Sequence, residues 1–369
     1  MISTLAGLPR VSRIAKSLST QGEVTVLEWD RSAKLPKNEM LNEIKHHRLH
    51  RKAGFGFRLF CWLPEWFLFV GRFGLKNRFD IIVPQNLDAL LPIIALAKLK
   101  NTKIIYDVAD FYADSYLPKR AAILRPITAS IERLLIRMVD AVIVVDESRI
   151  CQVGNVERKK ISIVYNVPYD HQPSHFTDID ALLPEKTKSS FLIYYAGILS
   201  PGRGLYQLVD VMQQLSGVTF VVSGFGEEES KFVEYIRGKE NVLYLGKLAY
   251  EQVLSLTRRS DCVIAIYDPS IPNNRFAAPN KVYEAMMCAK PSIVADETSI
   301  ADIMIREHCG LVIPYNDSQK LKEAISTLVN NPKLAKELGS NGRKAFISKY
   351  NWSRMEKTLS SVVAKVHVQ

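Results

Sequence analysis

Short apolar runs separated by amphipathic stretches recur along nearly the whole chain, and they restrict the folds open to it more than any other feature. Residues 79–83, 103–107, 141–145 and 161–165 are of strand length and apolar almost throughout rather than at every second position. A segment apolar on both faces must be buried on both, which a parallel sheet lying between helices provides. Helix-like segments stand between these runs at 11–18, 89–99 and around 127–138, and 23–29 reads as a further strand. Such alternation predicts an α/β layer, doubly wound, with right-handed crossovers.

Residues 167–188 interrupt the pattern with prolines, histidines and acidic residues in no regular order, as a linker does. The alternation then restarts. Strands are expected at 191–196, 219–223, 242–245, 262–266 and 292–295, and helices at 205–215, 232–237, 250–257 and 281–288. A chain of 369 residues is too long for one ordinary core. The expected division is a first Rossmann-like domain at 1–170, a second at 185–350, and a last helix at 351–369 packing back on the first. Met1-Ile-Ser3 reads as the tail of a first strand, so the expectation is a truncated first strand.

Composition narrows the class of partner. The chain is 47% apolar and 24% charged, with net charge +11 and a pI near 9.3, which suits acidic partners. Cys61, Cys151, Cys262, Cys288 and Cys309 show neither pairing nor metal spacing and read as thiols in a reducing, cytoplasmic setting. His46, His47 and His50 sit in a basic segment without a ligand pattern, so no metal site is expected. The longest apolar stretch, 59–70, is interrupted by Pro64 and Glu65 and is too short to span a bilayer. Around it, residues 45–78 combine Lys45, Arg48, Arg51, Lys52, Arg58, Arg72, Lys76 and Arg78 with Trp62, Trp66 and several phenylalanines. That mixture suits a peripheral contact with anionic headgroups at the inner face of the cytoplasmic membrane, or equally a core helix with a solvated basic flank. No nucleic-acid motif accompanies the charge.

Three loops carry candidate chemistry, each after a predicted strand. In the first, Gly197 ends a strand and Gly202-Arg203-Gly204 precedes a helix. Small residues let a phosphate approach the backbone, and Arg203 offers it a charged fork. In the second, Gly224 and Gly226 allow a tight turn at the carboxyl edge of a sheet, where open α/β sheets bind ligands. No full Gly-x-Gly-x-x-Gly follows, which argues against a nicotinamide dehydrogenase. In the third, Glu284 sits at the start of a short helical run, with Asn280 and Lys281 about one turn earlier. Helix starts attract anions, and an ammonium with a carboxylate there suits a ligand bearing both phosphate and sugar hydroxyls, that is, a nucleotide-sugar. The simpler alternative for Lys281 and Glu284 is a surface i, i+3 ion pair. Asp107 and Asp110 follow the strand at 103–106 and serve either catalysis or the capping of the next segment.

Taken together, the chain resembles the retaining glycosyltransferases of GT-B fold, specifically glycosyltransferase family 4. The likeness runs through Gly7 to Leu18, Asn86-Leu-Asp-Ala-Leu-Leu-Pro92, Tyr106-Asp-Val-Ala-Asp-Phe-Tyr112 and Asp140-Ala-Val-Ile-Val-Val145. It continues in Asn241-Val-Leu-Tyr-Leu-Gly246, Tyr250, Asp261-Cys-Val-Ile264 and Tyr350-Asn-Trp352. The resemblance implies two Rossmann-like domains facing an interdomain cleft, with a UDP-, GDP- or ADP-sugar as donor in the second. Arg203 and Lys281 would meet the diphosphate and Glu284 the ribose hydroxyls. The family pattern is altered at three places: Phe276 replaces the first glutamate of the Glu-(seven residues)-Glu motif, Ile198 a basic residue, and Ala109 a histidine. Asp110 then becomes the acceptor-side catalytic candidate. The implied activity is metal-independent transfer of a sugar, with retention, to a glycan or lipid-linked glycan in polysaccharide or glycoconjugate synthesis. A non-catalytic GT-B binding subunit and a GT-B sugar-nucleotide epimerase are the alternatives.

Overall fold

The computed structural model describes residues 1–53, 57–115, 123–171 and 179–368. Residues 54–56 and the Arg58 side chain of the basic segment, and 172–178 of the expected linker, lie outside that description. The chain forms two compact units, one of Met1–Tyr165 with Ser353–Gln369 and one of Asn166–Trp352.

In the first unit the elements run β1 (Ile2–Ser3), α1 (Pro9–Ser19), β2 (Thr25–Asp30), β3 (Asn38–Leu41), β4 (Ile44–His50) and α2 (Phe57–Lys76). There follow β5 (Ile81–Ile82), α3 (Leu87–Leu90), α4 (Ile94–Leu99), β6 (Lys103–Val108), α5 (Tyr112–Ser115), α6 (Arg125–Arg137), β7 (Ala141–Val144) and β8 (Ile161–Ile163). Two four-stranded sheets have the orders β1-β2-β4-β3 and β5-β6-β7-β8, parallel except for β3 against β4. They meet at Ile2, whose N–H donates to Val83 (3.0 Å) and whose carbonyl accepts from Gln85 (2.9 Å). The core between sheet and helices holds Trp29, Trp66, Ile104, Tyr106, Val142 and Val144, as the continuous apolar runs require.

Two local differences from the sequence reading have plain causes. The helix expected at 89–99 is two helices, α3 and α4, because Pro92 has no N–H to continue the ladder. The basic stretch at 45–50 is the interior strand β4, paired with β2 from Thr25↔Lys45 to Asp30↔His50. Its buried positions include His46 and Arg48, which both bind the buried Glu28 carboxylate at 3.0 Å, and Arg48 also reaches Glu39 at 2.7 Å. Those contacts hold the Glu28 carboxyl below its ordinary range against the burial that would raise it.

The second unit comprises β9 (Phe191–Ile198), α7 (Leu205–Met212), β10 (Val218–Phe225), α8 (Glu229–Tyr235), β11 (Val242–Tyr244), α9 (Tyr250–Arg259) and β12 (Cys262–Ala265). It continues with α10 (Pro272–Arg275), α11 (Asn280–Met287), β13 (Ser292–Ala295), α12 (Ser299–Glu307), β14 (Gly310–Ile313), α13 (Ser318–Asn330) and α14 (Pro332–Ser348). Its six strands are all parallel, in the order β11-β10-β9-β12-β13-β14. Numbered within the unit this is 3-2-1-4-5-6, so the chain reverses its direction of winding between β9 and β12. That switch point opens a crevice at the carboxyl ends of the two strands. The final helix, α15 (Trp352–Val368), begins at the edge of this unit and continues into the first, where Glu356 accepts from Ser17 Oγ (3.2 Å).

Candidate active site

At the switch point of the second unit, three sequence-distant segments bring cations and aromatic rings together. Tyr195 lies on β9 with its hydroxyl donating to the Ile198 carbonyl at 2.7 Å. Tyr267 follows β12 and is also buried. The Lys281 Nζ sits 3.4 Å from the Tyr195 ring centre and 5.5 Å from that of Tyr267. The Arg203 guanidinium covers the other side of the site, 4.0 Å over the Tyr267 ring. Arg203 is held there by its donations to Ser200 Oγ (3.3 Å) and Asn274 Oδ1 (3.2 Å). Asn274, itself buried, is fixed by donating Nδ2–H to the Asp268 carbonyl at 3.1 Å.

Glycine makes the approach of Lys281 possible. A Cβ at Gly197 would lie 3.1 Å from Nζ, and the residue has φ +147°, which side chains disfavour. Gly224 faces it in register on β10, and a Cβ there would come within 1.8 Å of the Gly197 carbonyl oxygen. Gly226 follows at the end of the same strand, and Gly202 lies in the turn before Arg203. A small pocket of about 160 Å³ opens beside the turn, lined by Ser200, Gly202, Arg203, Tyr206, Glu228 and Tyr315.

The helix α11 begins at Asn280, so Asn280 and Lys281 occupy its first turn and Glu284 stands one turn further in, not at the start. Pro279 at the cap supplies no side-chain acceptor, so no cap side chain takes up the first N–H groups of the helix. Lys281 and Glu284 are both buried, so the pair is no solvated surface bridge. Among the described residues, neither Lys281 Nζ nor Asn280 Oδ1 has a hydrogen-bond partner. Burial, and after it the charge of Arg203, drives the Lys281 pKa well below that of an ordinary lysine, against the pull of Glu284. A buried ammonium group with no acceptor is costly to charge, and an anion arriving at it would relieve that cost.

Asp110 belongs to the first unit, on the loop after β6. Its N–H donates to Asn86 Oδ1 and its carboxylate accepts from Arg149, each at 3.1 Å. Asp107 is fully buried under a two-pronged contact from Arg10 and is a structural carboxylate. Tyr195, Tyr267 and Asn274, which shape the surroundings of the two cations, escaped the sequence reading. The available signal was the i, i+2 spacing of Tyr195 and Gly197, which puts them on one face of β9.

Residues 10–167 match the family described as Glycosyltransferase Family 4, and residues 180–345 that described as Glycosyl transferases group 1. Among curated relatives, an uncharacterized glycosyltransferase of Methanocaldococcus jannaschii is 26% identical over 43% of this chain and 44% of its own length. The O-antigen chain mannosyltransferase C of Escherichia coli is 24% identical over 74% of this chain and 71% of its own. The chain thus spans less than half the length of the first of these. Among solved structures, sucrose-phosphate synthase from Thermosynechococcus elongatus superposes with a TM-score of 0.81 at 17% identity, covering 100% of this chain and 98% of that one. Anabaena HepE in complex with UDP-glucose gives 0.69 at 15% identity, with 98% of each chain covered. With its two units matched one after the other, the chain belongs to the family 4, group 1 glycosyltransferases of GT-B fold.

Proposed function

We propose that the protein is a retaining glycosyltransferase whose second unit holds a nucleotide-sugar and whose acceptor is a glycan or lipid-linked glycan hydroxyl. The observation that carries this reading is the buried Lys281 Nζ, without a hydrogen-bond partner among the described residues and beside Arg203 at the switch point. In the reaction the bond between the anomeric carbon and the diphosphate oxygen breaks as negative charge grows on the leaving group. Arg203, Lys281 and the first N–H groups of α11 face that charge, so they stabilise the transition state more than the ground state. This complement of charge lets the step run without a metal ion. The acceptor oxygen attacks from the face the diphosphate leaves, and its proton passes to the departing diphosphate. Glu284 grips the donor's ribose hydroxyls, and Asp110 serves the acceptor side. The Escherichia coli relative is a mannosyltransferase, and HepE was crystallised with UDP-glucose, which supports a sugar diphosphonucleoside as donor. A lipid-linked acceptor would bring the protein to the inner face of the cytoplasmic membrane. There Lys52, Arg72, Lys76 and Arg78 of the 45–78 segment, all exposed, would meet the headgroups.

A calorimetric screen of UDP, GDP, ADP and their sugars, followed by assay of diphosphate release, tests the reading. One nucleotide series should bind, and Arg203→Ala and Glu284→Ala should each abolish or severely weaken that binding. Failure of every nucleotide to bind would overturn it. Donor binding that survives both substitutions would point instead to a non-catalytic binding subunit.

A further inference from the structure

Helix α6 presents an apolar stripe that nothing among the described residues covers. Its inner face consists of Ala129, Glu132 and Ile136, all buried. On the outer side Leu124, Ile127, Ile131, Leu134 and Met138 follow one another at spacings of three and four, so they form one line along about 20 Å of helix. Each of the five is between 43% and 59% exposed, and Ile123 ahead of them is 83% exposed. Single exposed apolar side chains are ordinary, but a contiguous line of this length marks a contact surface.

The charges around the stripe select its occupant. Arg125, Arg133 and Arg137 are the cations of the helix, and its one acid, Glu132, is buried and bound to Tyr106 and the Tyr112 N–H. Arg125 pairs with Asp114 and Arg133 donates to the Gln152 carbonyl, whereas Arg137 is exposed at the helix end. A second copy of the chain laid on the stripe would bring arginines and no outward carboxylate, and two chains each of net charge +11 repel. A surface both apolar and negative complements the face, and an anionic bilayer is such a surface. No helix among the described residues is long and apolar enough to cross a membrane, so the contact lies in the interface.

We propose that α6 is a lipid-docking helix, lying in the plane of an anionic bilayer with Ile127, Ile131 and Leu134 at the boundary of headgroups and acyl chains. The proposal extends the membrane contact to a surface outside 45–78 and does not depend on the donor site.

Flotation of the full chain with vesicles of phosphatidylcholine, alone and with phosphatidylglycerol, tests it. The protein should float with the anionic vesicles, and the double variant Ile127→Ser/Leu134→Ser should lower its partition by at least about tenfold. Arg137→Gln should weaken the preference for anionic lipid. Because the replaced side chains are exposed, thermal unfolding and UDP, GDP or ADP binding should match the parent, which separates this outcome from failure of the donor reading. Unchanged flotation of the double variant would overturn the proposal. So would loss of flotation in Trp62→Ala/Leu68→Ser alone, which would assign the whole contact to 45–78. A dimer in light scattering that the double variant dissolves, with no vesicle binding, would assign the stripe to a second copy instead.

Discussion

Lys281 shows how a side chain can be held in readiness for an anion. Its Nζ lies against the Tyr195 ring with Arg203 as its charged neighbour, and both burial and that neighbour disfavour the ammonium form. A diphosphate placed between the two cations reverses the balance and favours it. Nucleotide diphosphate binding should therefore take up a proton at pH values between the lowered pKa of the empty site and the higher pKa of the complex. Calorimetry in two buffers of different ionisation enthalpy should give different apparent enthalpies, with a slope approaching one proton, and affinity should fall as pH rises. Lys281→Met should remove the slope; equal enthalpies in both buffers for the parent would show that Lys281 is already charged. On turnover, Arg203→Ala should lower kcat/KM by at least roughly 10²–10³, the usual effect of losing one donor to a developing oxyanion with the loss of donor binding added to it.

At the level of elements, β9 and β10 are tied by a contact that only glycine allows. A methyl group at Gly224 would need to share space with the Gly197 carbonyl, so Gly224→Ala must separate the two strands at the point where Lys281 crosses. The expected result is a loss of a few kcal/mol in denaturant unfolding together with loss of donor affinity. Gly22→Ala, where a Cβ meets nothing within 4 Å, should leave both unchanged. These glycines were legible in the sequence because they follow apolar strands, as was Arg203 between Gly202 and Gly204. The tyrosines were not, since an aromatic residue inside an apolar run reads as core, and it takes the 3-2-1-4-5-6 winding to set Tyr195 under Lys281. The same limit hid β4. Its inward positions are His46 and Arg48, polar by pattern, and only the placement of Glu28 on the neighbouring strand makes them interior residues. Helix α6 was legible as a helix from its apolar spacing, but which of its apolar residues face solvent depends on the strands beneath it.

Across the whole molecule, buried titratable groups pull stability in opposite senses as pH changes. In the first unit, Glu132 is fully enclosed, and burial raises its pKa to about 8 despite the hydrogen bonds from Tyr106 and the Tyr112 N–H. Asp88, whose charge reaches Glu132, is likewise raised by burial to about 6. Both groups hold their protons more tightly in the folded chain, where the unfolded values are 4.5 and 3.8. Their contribution is fully present below those unfolded values and is lost as pH climbs through about 6 and then about 8. In the second unit Lys281 has the reverse sign, since its depressed pKa means that the unfolded chain binds the extra proton and stability grows with pH. Glu28 and Asp30, held low, act only below the ordinary carboxylate range, the partly exposed His47 opposes Glu132 over a narrower window near 6.5, and the Met1 ammonium, lowered by burial from 8.0 to about 5, opposes it between those two values. Three of the four tryptophans, Trp29, Trp62 and Trp66, lie in the first unit, so indole fluorescence follows mainly its unfolding. Urea titrations read that way should show the midpoint of the parent falling relative to that of Glu132→Gln between pH 5 and pH 8, by an amount corresponding to a few kcal/mol. Glu132→Gln keeps the hydrogen-bonding shape without the ionisable proton, so its profile lacks the Glu132 loss and should rise with pH under the Met1 ammonium. A parent and variant with parallel pH profiles would mean that Glu132 is ionised in the folded protein throughout, with its charge met by a group other than Tyr106 and the Tyr112 amide.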